Sequence, residues 1–309
     1  VACGDRLVAE LRELVAREEH AGLRTISFVG HSLGGLLARY AVGFGFDAAA
    51  KTVFGLDPLH YISVATPHFG NNDTYLNDIN KEDAVTPCLR WIACVPFIGK
   101  FPACLFHLFE PCVVHACLRR CGDELFLRDA PPPVIVRMGT PGDEVPFVAG
   151  LASFRERTCY GNIRGDHLVA WENATIRRKC DLPQVDRKAA PWGVVSVEIS
   201  APSPGGEAPE PVTAAPDVTS ADAASEGEGK QASKATCPRR EPLIAALAAL
   251  GWRRIDVKTK ANPGACLSCD CLAIMPHDTI LLQFPHKDPS FQAVSESVSD
   301  LINTSIANF

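Results

Sequence analysis

Apolar positions change period twice within the first 65 residues. Leu7, Leu11, Leu14 and Val15 share one face at helical spacing, which predicts an amphipathic helix over 5–19. Residues 24–29 then close up into a short apolar run (Ile26, Phe28, Val29), the pattern of a strand buried in a parallel sheet. Helical periodicity returns over 34–44, and 60–65 reads as a second strand closed by the turn Thr66-Pro67-His68-Phe69-Gly70. Further on, 134–138 and 157–160 read as strands flanking a helix near 147–154. The last third reads as a helix at 241–250, a strand at 253–258 and a C-terminal helix at 291–306. Strands alternating with helices predict an α/β fold built on a mostly parallel, doubly wound sheet.

Two stretches interrupt the alternation. Residues 84–121 are apolar and Cys-rich, with Trp91, Phe97, Phe101, Phe106 and Phe109 among them. They read either as buried helices or as a lid-like insertion beside a site. Residues 201–238 are rich in Ala, Pro, Ser, Gly and Glu without apolar periodicity, which predicts a disordered insertion. The expected organisation is therefore one domain in two pieces, 1–200 and 239–309, with the low-complexity stretch between them.

Composition narrows the function classes. The chain has 309 residues, 47% hydrophobic and 21% charged, the profile of a globular domain with a sizeable core. A net charge of −6 without a clustered Lys/Arg face argues against a nucleic-acid partner. The 13 cysteines are odd in number and irregularly spaced, which favours free thiols in a reducing, intracellular setting. Cys266, Cys269 and Cys271 cluster, but a zinc site usually takes two separated pairs, so neither metal nor cofactor is expected. The chain opens on Val1 and runs directly into helix, which reads as a fragment truncated at its N-terminus.

The chemistry centres on Gly30-His31-Ser32-Leu33-Gly34. A serine hydroxyl is a weak nucleophile, so it needs a base, an orienting acid and donors for the developing oxyanion. A G-x-S-x-G pattern places the serine on a tight strand-to-helix turn, and here an apolar strand precedes it and a small-residue helix follows. The Leu33 amide is then one oxyanion donor, with His31 and His68 expected to line the site. The fold's triad order is Ser, acid, His. Asp57 precedes the second strand, at the wrong edge of the sheet. Asp143 and Glu144 are alternatives for the acid, but read equally well as charges at the start of the next helix. Asp166 follows a strand in a glycine-bearing loop and is the preferred acid. Its neighbour His167 is an alternative base, although adjacent side chains in such a loop tend to diverge. His277 lies between the last strand and the C-terminal helix and is the preferred base, with His286 as a weaker candidate.

Jointly, several segments resemble the lipase-like serine esterase family DUF676, above all its plant and algal members. They are 26–40 around the elbow, 62–70, 124–127, Tyr160-Gly161-Asn162, Gly165-Asp166-His167, Ile176-Arg177-Arg178 and 250–257. The resemblance implies an α/β-hydrolase fold and esterase or lipase activity on lipid-like esters. It matches Ser32 to the nucleophile, Asp166 to the acid and His277 to the base. Relatives follow the acid with Val-Pro, where this chain has Val169-Ala170. They also carry an upstream strand and a glycine-bearing loop with a second oxyanion donor, which here would precede Val1. The expected partner is a lipid or other ester, with contact at a membrane or lipid-droplet surface. The alternative reading is a non-catalytic scaffold or lipid-surface binding protein with the hydrolase fold.

Overall fold

The computed structural model of the protein describes residues 1–70, 120–164, 166, 169–187, 189–191, 193–202, 240–259 and 296–303. Helix α1 (Ala2–Ala16) leads into β1 (Thr25–His31), and α2 (Leu33–Gly45) follows β1 after one residue. A small antiparallel pair, β2 (Phe46–Asp47) and β3 (Thr52–Val53), returns the chain to β4 (Asp57–Val64). After helix α3 (120–125) come α4 (Val134–Arg137), α5 (Phe147–Ala152) and β5 (Glu156–Asn162). Helix α6 (Trp171–Ala174), strand β6 (Gly193–Ile199), helix α7 (Glu241–Ala248), strand β7 (Arg253–Lys258) and helix α8 (296–303) complete the described fold.

The main sheet runs in the order β1-β4-β5-β7-β6. β1, β4, β5 and β7 are parallel neighbours, and β6 pairs antiparallel with β7 at the edge. This is the expected α/β fold, a mostly parallel sheet flanked by helices. Helices α1, α2, α4, α5 and α7 contribute to the larger core, around Tyr61, Phe147, Leu151, Leu247 and Trp252. A smaller cluster holds Ile62, Val64, Tyr160, Ile255 and Val257, with residues of α8 packed against it. Among the described residues no helix is long and apolar enough to cross a membrane.

The structure corrects one expected strand. The stretch 134–138 holds a helix over Val134–Arg137 rather than a strand, and Val134, Ile135 and Met138 are buried at helical spacing. The Asp129 carboxylate accepts the Val134 amide at 2.8 Å, and Pro133 forms the N-cap of α4. Packing and a start signal thus override the strand preference of a short Val-Ile-Val run. Strand β6, which the periodicity does not single out, forms an edge with Val197 and Ile199 largely exposed.

Between β7, β6 and α6 lies a buried charge network. Asp256 is wholly buried and accepts from Arg177 Nη1 and Trp171 Nε1 at 2.7 Å each on Oδ1, and from Ser196 Oγ at 2.6 Å on Oδ2. Glu198 ties Arg177 to Arg254, with contacts of 2.9 and 3.0 Å. A buried carboxylate is tolerated only while its lone pairs are satisfied. Trp171→Phe keeps an aromatic ring but loses the pyrrole part of the indole, and with it one donor to this charge. It is expected to lower stability by about 1.5–3 kcal/mol, read as a shift in the urea midpoint at constant slope.

Candidate active site

The parallel register brings the carboxyl ends of β1, β4, β5 and β7 to one edge of the sheet, where α/β folds carry their sites. Ser32 stands there between β1 and α2, with φ 52° and ψ −125°. A non-glycine residue in this region is strained and persists only where its surroundings enforce it. Three bonds do so: the Ser32 amide donates to Val64 O at 2.9 Å, the Gly35 amide to Ser32 O at 3.2 Å, and Tyr61 Oη to Gly35 O at 2.6 Å. The first turn of α2 is thereby fastened to β4. Leu33 opens α2, so its amide is among those that find no acceptor within a helix. His31 ends β1 and is half-buried.

One strand further, β5 ends at Asn162, and Asp166 lies just beyond it. The Asp166 carboxylate accepts Asn162 Nδ2 at 3.2 Å on Oδ2 and the Val169 amide at 2.9 Å on Oδ1. Asn162 is buried and also accepts from Thr259 Oγ1, just past β7, at 3.0 Å. The sequence reading did not single out Asn162 or Thr259, although Asn162 sits in the Tyr-Gly-Asn segment at a strand end. Their link joins the loop after β5 to the segment that leaves β7. His277, His167 and His286 lie outside the described residues, as do all but residues 120 and 121 of the 84–121 stretch and all but 201 and 202 of the 201–238 stretch.

The alternative acids have other attachments. Asp143 forms a two-pronged ion pair with Arg137, at 3.1 Å from Nε and 3.0 Å from Nη2, and also accepts the Val145 amide at 3.1 Å. Glu144 is exposed, and neither residue falls in the first turn of α5. Asp57 opens β4 and is exposed, so it lies at the opposite edge of the sheet from Ser32.

His68, expected to line the site, packs inside the fold against Ser63 of β4 and Trp252. It is wholly buried, with Nε2 2.9 Å from Ser63 Oγ and its ring edge-on to Trp252 at 5.8 Å. Arg39 from α2, also wholly buried, donates to His68 O at 3.1 Å. Burial pulls the Arg39 guanidinium down to about 10, which still leaves it charged at neutral pH. Burial, reinforced by that charge, holds His68 well below the ordinary histidine range, so the folded protein keeps the ring neutral. His60 is lowered in the same direction, mainly by desolvation.

A pH dependence follows from these shifts. Below about pH 6.5 the unfolded chain protonates these rings while the native state resists. Stability is therefore fully present above that value and is lost as pH falls through it, at up to about 1.4 kcal/mol per unit for each histidine. Urea midpoints between pH 8 and 5 should show the decline, and His68→Gln should flatten it. An equally steep decline in the variant would assign the effect to other groups.

Among the described residues no group of three His, Cys, Asp or Glu side chains comes together as a metal site would need. The cluster of Cys266, Cys269 and Cys271 lies outside them. No curated protein and no solved structure matches the chain. Residues 1–82, which carry β1, Ser32, α2 and β4, match the model of the family described as Putative serine esterase (DUF676), the family their motifs resemble, and its α/β-hydrolase architecture fits the sheet seen here.

Proposed function

We propose that this protein is a serine esterase acting on carboxylic esters of lipid-like substrates through an acyl-enzyme. Ser32 Oγ attacks the ester carbonyl, His277 takes its proton, and Asp166 orients the imidazole. The Leu33 amide stabilises the tetrahedral oxyanion. The imidazolium then protonates the departing alcohol; water deprotonated by the same histidine attacks the acyl carbonyl, the bond to Ser32 Oγ breaks, and the carboxylic acid leaves as Oγ regains its proton. The observation that carries the reading is the strained backbone of Ser32, held at the carboxyl edge of the sheet where a helix begins. The position of Asp166 just after a strand, with its carboxylate accepting from Asn162, supports its reading as the acid. The apolar 84–121 stretch and the resemblance of the motifs support a lipid-like acyl or alcohol group.

A fluorophosphonate probe tests this directly. The full-length protein should be labelled at Ser32, and Ser32→Ala should not. Equal labelling of both removes Ser32 as the nucleophile, and no labelling of either favours the non-catalytic, lipid-surface reading.

A further inference from the structure

The sulfurs of Cys3 and Cys121 face each other at 3.8 Å across 118 positions of sequence. Cys3 sits in the first turn of α1 and is exposed; Cys121, in α3, is partly buried. The supports on both sides are built in. Tyr40 Oη of α2 donates to Asp5 Oδ1 at 2.7 Å, which seats the start of α1 on α2. Cys121 lines a small apolar cavity of about 30 Å³, together with Leu33, Leu36, Tyr40, Leu125 and Met138. The other two described cysteines differ in kind. Cys159 is wholly buried in the sheet, where burial pushes its thiol up to about 12, and Cys180 is exposed beside Asp181 at 3.5 Å.

We propose that Cys3 and Cys121 are a reversible redox-modification site, closing as a disulfide that fastens α1 to α3 when the protein meets a peroxide. The exposed Cys3 sulfur attacks the peroxide oxygen, forming a sulfenic acid and releasing one water. The Cys121 sulfur then displaces the hydroxyl from Cys3 as a second water, so the two thiols lose two electrons and two protons to the peroxide. Cys121 suits the resolving role. Its partial burial and the neighbouring Cys3 thiol raise it, so it stays a thiol until its partner is activated. A dithiol reductant reverses the bond by exchange. Because Leu33 lines the same cavity as Cys121, the bond tethers one wall of the space beside the first turn of α2.

The experiment is a peptide map of the full chain, reduced, desalted, treated with stoichiometric hydrogen peroxide and blocked with N-ethylmaleimide before digestion. The expected product is a peptide pair joined through Cys3 and Cys121, two hydrogens lighter than the separate peptides and lost on adding dithiothreitol. Cys180 should be recovered as its maleimide adduct. The closed loop should also raise the unfolding temperature by roughly 5 °C in the oxidised form, a shift that Cys3→Ser removes. Recovery of Cys3 and Cys121 as separate adducts, as individually over-oxidised acids, or bridged to other cysteines overturns the proposal. The map reads a covalent bond and not turnover, so it is decided whether or not the esterase reading stands.

Discussion

Replacing Ser32 by alanine is expected to lower ester turnover by about 10⁴–10⁶-fold while leaving the fold intact. The size follows from the division of labour at such a site. Without the hydroxyl no acyl-enzyme forms, and the oxyanion donors alone retain only a small rate enhancement over water. Alanine adopts the φ 52°, ψ −125° turn no more easily than serine, so its thermal midpoint should match the parent's. Glycine behaves differently. It populates positive φ freely, so Ser32→Gly relieves a strain of about 1–3 kcal/mol against a smaller entropic loss in the unfolded chain. The net gain in stability should be on the order of 1 kcal/mol, with activity as low as in the alanine variant. The pair of substitutions separates two uses of one residue. Turnover that survives in Ser32→Ala removes it as the nucleophile, and a loss of stability in Ser32→Gly removes the strain argument.

The unit β1–Ser32–α2 was legible because two independent signals coincide there: a change of apolar period and glycines on both sides of a serine. The strand at 253–258 was legible for a related reason, since an apolar alternation follows a helix and then Gly251. The helix at Val134–Arg137 was not. Four residues are too few for periodicity to separate strand from helix, and the Asp129 carboxylate that accepts the Val134 amide lies five positions upstream. Strand β6 follows a Pro-bearing loop and owes its existence to pairing with β7, a partner more than fifty residues later. At the site, the place of Asp166 after a strand could be read locally. The bond from Thr259 to its partner Asn162 could not, because those two residues are 97 positions apart and meet only in the folded sheet. His68 shows the converse. A histidine in a turn reads as site-lining, but only the third dimension shows it wholly buried, edge-on to Trp252 and beside Ser63.

Gly30→Ala should be among the most damaging single changes in the chain, while Gly34→Ala should be harmless or stabilising. The motif treats both glycines alike, but the turn does not. A Cβ on Gly30 would lie 2.5 Å from Gly35 Cα and 2.6 Å from Gly35 N, so it meets backbone that cannot rotate away. Gly35 in turn is closed in by Thr66, whose Oγ1 would be 2.2 Å from an added Cβ, so the first turn of α2 has no room to retreat toward β4. The strand and helix must then separate, which breaks the Ser32 and Tyr61 hydrogen bonds that set the elbow. A cost of more than about 4 kcal/mol is expected, seen as loss of soluble protein or a collapse of the thermal midpoint. Around Gly34 nothing lies within 4 Å of an added Cβ. There the substitution removes a flexible residue from the start of a helix and should add up to about 1 kcal/mol. Equal damage from both changes would mean that the elbow is shaped by conformational demand at each glycine, not by the close approach of β1 to α2.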